Sequence, residues 1–283
     1  MERTVEPAVV EFAQVNGVRI AYERTGESGD PLVFVHGSWG SHHNWDPVVP
    51  RLAGEFRVVT YDRRGHSDSE RPQGPGSVHE DVADLAALIE YLDIAPAWVV
   101  GNSYGSIITL RLASARPDVL RGIVVHEPPL FTLLDDGGSE AAALEEIRSG
   151  PLAEVYRRLT AGDHAGAAEL FVEQVALGPG SWARLPEDLR QTFIVNAPTY
   201  LDEMNDPDAL TVDEAALARF TAPTLITEGD QSPPIFPAVL ERLAGLMPHA
   251  ERVVYPGAGH IPHITHPVSY VDELVAFTSA ATS

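Results

Sequence analysis

The chain has 283 residues, 44% of them hydrophobic and 21% charged, which suits one sizeable α/β domain and excludes a disordered segment or a coiled coil. Its 19 basic residues are outnumbered by 41 acidic ones, and the net charge of -22 argues against a nucleic-acid partner. Every basic residue is Arg and Cys is absent, so lysine Schiff bases, P-loop nucleotide hydrolysis and thiolate catalysis are excluded as reaction classes.

Residues 1–7 do not have the basic start and apolar core of a secretory signal. The chain also contains no apolar run of membrane-spanning length. We therefore expect a cytoplasmic protein that acts on a small molecule and binds neither membrane nor nucleic acid.

Short runs of Val, Ile and Leu alternate with helical patterns along the chain, which is typical of an α/β protein whose parallel sheet is covered on both faces. The sheet is predicted to open with an antiparallel hairpin, residues 9–15 and 18–24, because Asn16-Gly17 is a strong turn signal. Six parallel strands are predicted to follow at residues 32–35, 58–61, 98–100, 122–125, 224–227 and 252–255. The expected fold is thus a mostly parallel, eight-stranded sheet flanked by helices.

The longest interval without a strand pattern runs from residue 131 to residue 220. It contains short amphipathic segments rich in Ala, Leu and Glu, separated by Pro and Asp. Since a strand pattern resumes at Thr224, we interpret 131–220 as a helical lid inserted into a core domain formed by 1–130 and 221–283.

The segment Gly101-Asn102-Ser103-Tyr104-Gly105 follows a predicted strand and precedes a helical pattern over 106–115. A serine between two glycines at such a strand-to-helix turn projects its hydroxyl above the sheet, and small neighbours let strand and helix approach closely. Ser103 is therefore the candidate nucleophile.

A serine nucleophile needs a base and a carboxylate that orients the base. His260 lies in a glycine-rich loop after the last strand, and Asp230 follows the strand before it, so both fall at the same sheet edge as Ser103. Glu127, at the end of another strand, is the alternative acid. The two prolines that follow it could instead form a rigid segment at the start of the lid, in which case Glu127 would have no catalytic role. We favour Asp230.

The serine turn and the order Ser, Asp, His resemble the α/β-hydrolase fold, specifically its lid-bearing esterase, lactonase and haloperoxidase-like branch. The resemblance covers nearly the whole chain, and it implies that residues 36–40 form the oxyanion loop. A tetrahedral intermediate needs two donors, which we assign to the backbone N–H groups of Tyr104 and, from this loop, Ser38, with Trp39 as the second candidate. Four residues are predicted to line the substrate pocket: Trp39, His42, Phe131 and Ile261.

These residues predict a serine hydrolase that cleaves a carboxylic ester or lactone through an acyl-enzyme, with no cofactor and no metal. The same triad would also serve a carbon-carbon bond hydrolase or a cofactor-free perhydrolase or haloperoxidase. Outside enzymes, a ligand-binding receptor on this fold is the remaining alternative.

Overall fold

The computed structural model describes residues 9–134 and 139–281, and within them eight strands form one sheet in the order β1-β2-β4-β3-β5-β6-β7-β8. β1 and β2 pair antiparallel, β2 is antiparallel to β4, and the other neighbours are parallel. The mostly parallel sheet predicted from the sequence is confirmed. The strands are β1 (Glu11–Val15), β2 (Val18–Thr25), β3 (Asp30–Val35), β4 (Phe56–Tyr61), β5 (Ala97–Asn102), β6 (Leu120–His126), β7 (Thr224–Gly229) and β8 (Glu251–Tyr255).

The first hairpin turns at Asn16 and Gly17, which both have positive φ, 46° and 78°. Two successive left-handed residues match the right-handed twist of the flanking strands, and Asn and Gly are the residues that reach this conformation at least cost. The turn thereby sets the register in which Val15 pairs with Val18.

Helices of eight residues or more occur before, within and after the predicted lid. They are α1 (Val78–Tyr91), α2 (Tyr104–Ala115), α3 (Ser139–Ile147), α4 (Ala153–Thr160), α5 (His164–Phe171), α6 (Glu187–Asn205), α7 (Ile235–Leu246) and α8 (Pro267–Ala281). Single α-turns lie at Val49–Leu52, Glu214–Leu217 and Pro262–Thr265. Shorter 3-10 or π segments occur at His42–Trp45, Pro117–Val119, Phe131–Leu134, Arg148–Leu152, Val172–Ala176 and Trp182–Arg184.

The central strands β3, β5, β6 and β7 are buried on both faces of the sheet, which explains why they are mostly apolar runs. Along β3, Val33 and Val35 pack into one cluster with side chains of α1, α2 and α7, whereas Leu32 and Phe34 pack into a second cluster with α8. Alternate residues of one strand thus contribute to opposite cores.

Between β6 and β7 the described residues are helical or irregular and contain no strand. Residues 135–138, inside the predicted lid 131–220, lie outside the described part of the chain. A third apolar cluster joins helices α4, α5 and α6 of this region to Trp39 of the core. Among the described helices, none is both long and apolar enough to cross a bilayer.

Candidate active site

Ser103 occupies a strained turn between β5 and α2. Its φ of 56° and ψ of -122° lie in a region that side-chain-bearing residues rarely adopt. The flanking glycines are required by contact: a Cβ on Gly101 would lie 2.5 Å from the Gly105 carbonyl oxygen, and one on Gly105 would lie 2.2 Å from the Val35 carbonyl oxygen. The predicted strand-turn-helix arrangement is therefore present, with Ser103 at its apex.

His260 is hydrogen-bonded to Glu127 at the carboxyl edge of the sheet. His260 Nδ1 lies 2.6 Å from Glu127 Oε2, and the Gly229 N–H donates to Glu127 Oε1 at 2.8 Å. The Asn102 side chain donates to the His260 carbonyl oxygen at 2.9 Å, which joins the histidine loop to the residue before Ser103. The imidazole also stacks on Phe236, with ring centroids 4.8 Å apart. The His260 loop is thus held from three sides.

The Glu127 carboxylate is charged although its side chain is completely buried. Burial favours the neutral form, but the hydrogen bond from His260 and the nearby His126 and His260 rings outweigh it and lower the pKa of Glu127 to about 2. Since a carboxylate only accepts, His260 Nδ1 carries the proton and donates it, which leaves Nε2 as the basic nitrogen.

His126 precedes Glu127 and lies against the same group. Burial, reinforced by the neighbouring His260 but opposed by the Glu127 carboxylate, lowers the pKa of His126 to about 4, so this ring is neutral at pH 7. Its Nδ1 is 2.9 Å from the Thr227 hydroxyl oxygen. His126 therefore contributes polarity but no charge beside the His260–Glu127 pair.

Asp230, which the sequence favoured as the partner of His260, has a different position. It is exposed, and its Oδ1 accepts hydrogen bonds from the Gly257 N–H at 2.8 Å and from the Gln231 side chain at 3.0 Å. Asp230 thus braces the loop that leads to His260 without contacting the imidazole. β6 lies between β5 and β7, so Glu127 follows the strand next to the one that leads to Ser103.

The predicted oxyanion loop, residues 36–40, packs directly against the serine turn. A Cβ on Gly37 would lie 3.0 Å from both the Asn102 carbonyl oxygen and Ser103 Cβ. Burial lowers the pKa of His36 to about 3, so this ring is neutral; its Nε2 accepts from the Arg63 N–H at 3.0 Å and its Nδ1–H donates to the Gly37 carbonyl at 2.8 Å. Of the two predicted donors, Ser38 follows Gly37 in this loop, and Tyr104 is the first residue of α2, directly after Ser103.

The four predicted pocket residues divide into two pairs. Trp39 is 0% exposed and His42 is 1% exposed, so both belong to the packed interior and are not open pocket walls. His42 Nδ1–H instead donates a hydrogen bond to Asp62 Oδ1 at 2.9 Å.

Phe131 and Ile261 remain near the site. Phe131 lies 6.1 Å from Phe236, the ring on which His260 stacks, and Ile261 directly follows His260. Both are half-buried, so both can contribute apolar surface to a substrate pocket.

Two polar residues that the sequence did not single out also lie beside the oxyanion loop. Glu203 of α6 accepts a hydrogen bond from the Ser38 hydroxyl at 2.5 Å and one from Arg63 Nη1 at 3.0 Å. No local pattern indicates these contacts, because about 165 residues separate Ser38 from Glu203.

Among the described residues, one group of metal-ligand type is close enough to hold an ion: His126, Glu127 and His260, with ligand atoms within 4.8 Å of one another. Two of its members already share the hydrogen bond described above. An ion bound through His260 Nδ1 and Glu127 Oε2 would replace the proton that these two atoms share.

An open α/β sheet with a strained serine turn and a buried histidine–carboxylate pair at its carboxyl edge defines a hydrolase-type site. The model of the alpha/beta hydrolase fold family matches residues 30–267, and the chain belongs to that family. The resemblance noted in the sequence is thereby confirmed.

Relatives agree on this family and differ in their named activities. The chain is 41% identical over 110 residues to the putative non-heme bromoperoxidase BpoC of Mycobacterium tuberculosis, covering 38% of this chain and 41% of the relative. It is similar in structure to an alpha/beta hydrolase from Sphaerobacter thermophilus (26% identity, TM-score 0.76, 95% of this chain and 100% of that one). It is likewise similar to a thermophilic esterase from Thermogutta terrifontis (23% identity, TM-score 0.77, 98% and 100%). The alignment with BpoC spans about two fifths of that relative's length.

Proposed function

We propose that the protein is a serine hydrolase that cleaves an apolar carboxylic ester or lactone through an acyl-enzyme. The observation that carries the proposal is the buried 2.6 Å hydrogen bond between His260 and the charged Glu127, beside the strained turn that presents Ser103. In this proposal Glu127 takes the role that the sequence assigned to Asp230.

In the first step, Ser103 Oγ attacks the carbonyl carbon while its proton moves to His260 Nε2. Glu127 stabilises the imidazolium that forms and keeps the ring in the required tautomer. The carbonyl oxygen becomes an oxyanion, which accepts hydrogen bonds from the backbone N–H groups of Ser38 and Tyr104. Collapse of this intermediate breaks the bond to the alkoxide oxygen, and the alkoxide takes the proton from His260.

In the second step, water attacks the acyl-enzyme and gives its proton to His260 Nε2. The second tetrahedral intermediate then releases the carboxylic acid, and the proton returns to Ser103 Oγ. With a lactone the leaving alcohol stays attached to the acyl group, so the product is a hydroxy acid. Neither step draws on a redox or group-transfer partner other than water.

A second candidate activity is perhydrolysis, which the similarity to a relative named as a putative non-heme bromoperoxidase favours. Hydrogen peroxide would replace water in the second step, pass one proton to His260 and release a peracid. The first step and the residues would be the same, so only the products separate the two activities.

The test is steady-state hydrolysis of p-nitrophenyl esters from acetate to octanoate by wild type, Ser103→Ala and Ser114→Ala. Ser114 lies in α2, the helix that follows the serine turn, and its hydroxyl donates a hydrogen bond to the Leu110 carbonyl oxygen. Ser114→Ala is therefore the matched control. We expect activity in wild type and the control, and none above background in Ser103→Ala.

Two further assays distinguish ester hydrolysis from lactone hydrolysis and from perhydrolysis. Acid release from a simple lactone tests the lactone alternative. Bromination of an organic acceptor in the presence of acetate, hydrogen peroxide and bromide detects peracid, which oxidises bromide to the brominating species. Activity that survives in Ser103→Ala would refute the nucleophile. Inactivity of wild type toward every ester and lactone would instead favour the carbon-carbon hydrolase or receptor alternatives.

A further inference from the structure

Three residues on one face of the lid helix α6 each contact a different residue of the oxyanion loop. Asn196, Tyr200 and Glu203 lie at positions i, i+4 and i+7, which share one side of a helix. Asn196 Nδ2 donates to the Gly40 carbonyl at 2.7 Å, and the Tyr200 ring lies 4.9 Å from the Trp39 ring. Glu203 completes the series at Ser38. The helix thus follows the loop along its length.

The loop needs this support because its middle residue is strained. Trp39 has a φ of 66°, a left-handed conformation that costs a bulky residue of order 1–3 kcal/mol. Its ring is completely buried and packs against both Tyr200 and Phe171, with ring centroids 4.9 and 5.1 Å away. Packing against the lid therefore offsets the strain in the loop that carries an oxyanion donor.

Glu203 makes the polar part of this contact, and its side chain is only 7% exposed. Besides the Ser38 hydroxyl it binds Arg63, which is also held by a two-point contact with Asp81 at 2.8 and 3.2 Å. The Arg63 guanidinium lies over the Tyr104 ring, 4.5 Å from its centroid. A single carboxylate is thus linked to both residues proposed to supply the oxyanion donors: directly to Ser38 and, through Arg63, to Tyr104.

We propose that Glu203 is a positioning residue for the oxyanion loop: by holding the Ser38 hydroxyl, it fixes the backbone N–H of Ser38 toward the carbonyl oxygen of a substrate on Ser103. The inference rests on the proposed function. It adds that the lid does more than cover the site, because the lid supplies the group that sets the geometry of the transition-state contact.

The test uses a probe whose reaction does not depend on the natural substrate. An alkyl fluorophosphonate phosphonylates a serine nucleophile: the Ser103 Oγ–P bond forms, the P–F bond breaks, fluoride leaves and the proton moves to His260. Negative charge develops on the phosphoryl oxygen, which the oxyanion donors stabilise. The second-order rate follows from the mass increase of the intact protein, and peptide mapping locates the label.

Five variants separate positioning from folding. Glu203→Ala and Ser38→Ala each remove the hydrogen bond from one side, and their double variant tests whether they act together. Glu203→Gln keeps an acceptor for the Ser38 hydroxyl. The matched control is Asp202→Asn, which changes the neighbouring carboxylate, half-buried and paired with Arg71 at 3.2 Å. A cavity of about 60 Å³ beside Glu203 leaves room for water to replace the lost carboxylate, so we expect the variants to fold.

We expect Glu203→Ala and Ser38→Ala each to slow labelling about tenfold, the effect of one lost charge-assisted hydrogen bond. The double variant is expected to be no slower than either single variant, Glu203→Gln to stay within about threefold of wild type, and Asp202→Asn to be unchanged. With an ester that wild type hydrolyses, the loss should be in kcat, with KM within about twofold.

Unchanged labelling in Glu203→Ala, or a double variant slower by the product of the single effects, would overturn the positioning role. A Glu203→Gln rate as low as that of Glu203→Ala would overturn the role of the Ser38 hydrogen bond. Wild type that is not labelled at Ser103 would overturn the proposed function, and this inference with it.

Discussion

The assignment of Glu127 as the partner of His260 makes the sharpest prediction. Glu127→Gln removes the charge that stabilises the imidazolium and leaves a side chain of nearly the same shape. The pKa of Glu127 is lowered from its usual 4.5 to about 2, a difference that corresponds to about 3 kcal/mol of preference for the charged form. The hydrogen bond from His260 is the largest of the interactions that lower this pKa.

A loss of about 3 kcal/mol in the transition state corresponds to roughly a hundredfold in rate. An amide can also hold the wrong tautomer of the ring, and the corresponding Asp→Asn change costs about 10⁴-fold in a serine protease triad. We therefore expect kcat for p-nitrophenyl butyrate to fall between about 10² and 10⁴-fold in Glu127→Gln, with KM little changed.

Asp230→Asn is the matched control, because it makes the same change on the neighbouring strand end. Asp230 binds the Gly257 N–H but not the imidazole, and Asn retains an acceptor for that bond, so kcat should stay within about threefold of wild type. Thermal unfolding of both variants checks that they are folded. Full activity in Glu127→Gln together with a large loss in Asp230→Asn would refute the reasoning and restore the assignment made from the sequence.

Three further predictions concern the support of the site. Burial lowers the pKa of His126 from 6.5 to about 4, so its neutral ring contributes stability above pH 6.5 that is lost as the pH falls through 4. In urea unfolding, the difference in free energy of unfolding between wild type and His126→Asn should therefore become smaller by about 3 kcal/mol between pH 7 and pH 4. Gly105→Ala would put a Cβ 2.2 Å from the Val35 carbonyl oxygen and should lower the melting temperature by about 5 °C or more. Asn102→Ala removes the 2.9 Å bond to the His260 carbonyl and should lower kcat about tenfold with KM unchanged.

Each of these three predictions would be contradicted by a specific result. A pH-independent difference between wild type and His126→Asn would mean that the ring is protonated in the folded protein at pH 4 as easily as in the unfolded chain. A Gly105→Ala variant as stable as wild type would show that strand and helix can separate without cost. Asn102→Ala with normal kcat would show that the histidine loop does not depend on the serine turn.

The strands were predictable because their signal is local. Runs such as Trp98-Val99-Val100 are apolar at every position, and burial on both faces of a parallel sheet is the arrangement that such runs favour. The serine turn was predictable for a similar reason, since the two glycines of its pentapeptide meet backbone atoms at distances that exclude any Cβ.

The choice between two acids was not predictable in this way. Glu127 and Asp230 each follow a parallel strand at the same edge, and the sequence does not show that Glu127 enters with a φ of 45° while Asp230 turns toward the backbone of Gly257. The contact of Glu203 with Ser38 was not predictable either, because helix periodicity says which residues share a face but not which loop that face meets.

The contacts between α6 and residues 36–40 limit how the predicted lid of this chain can be exchanged for that of a relative. A chimera that receives a foreign lid would keep Ser103, His260 and Glu127 intact and still lose the partners of Gly40, Trp39 and Ser38. A chimera designed for a new substrate should therefore take the loop 36–40 and the segment 196–203 from the same parent protein. We expect lid exchanges that separate these two segments to give folded proteins in which the oxyanion loop is no longer held in position beside Ser103.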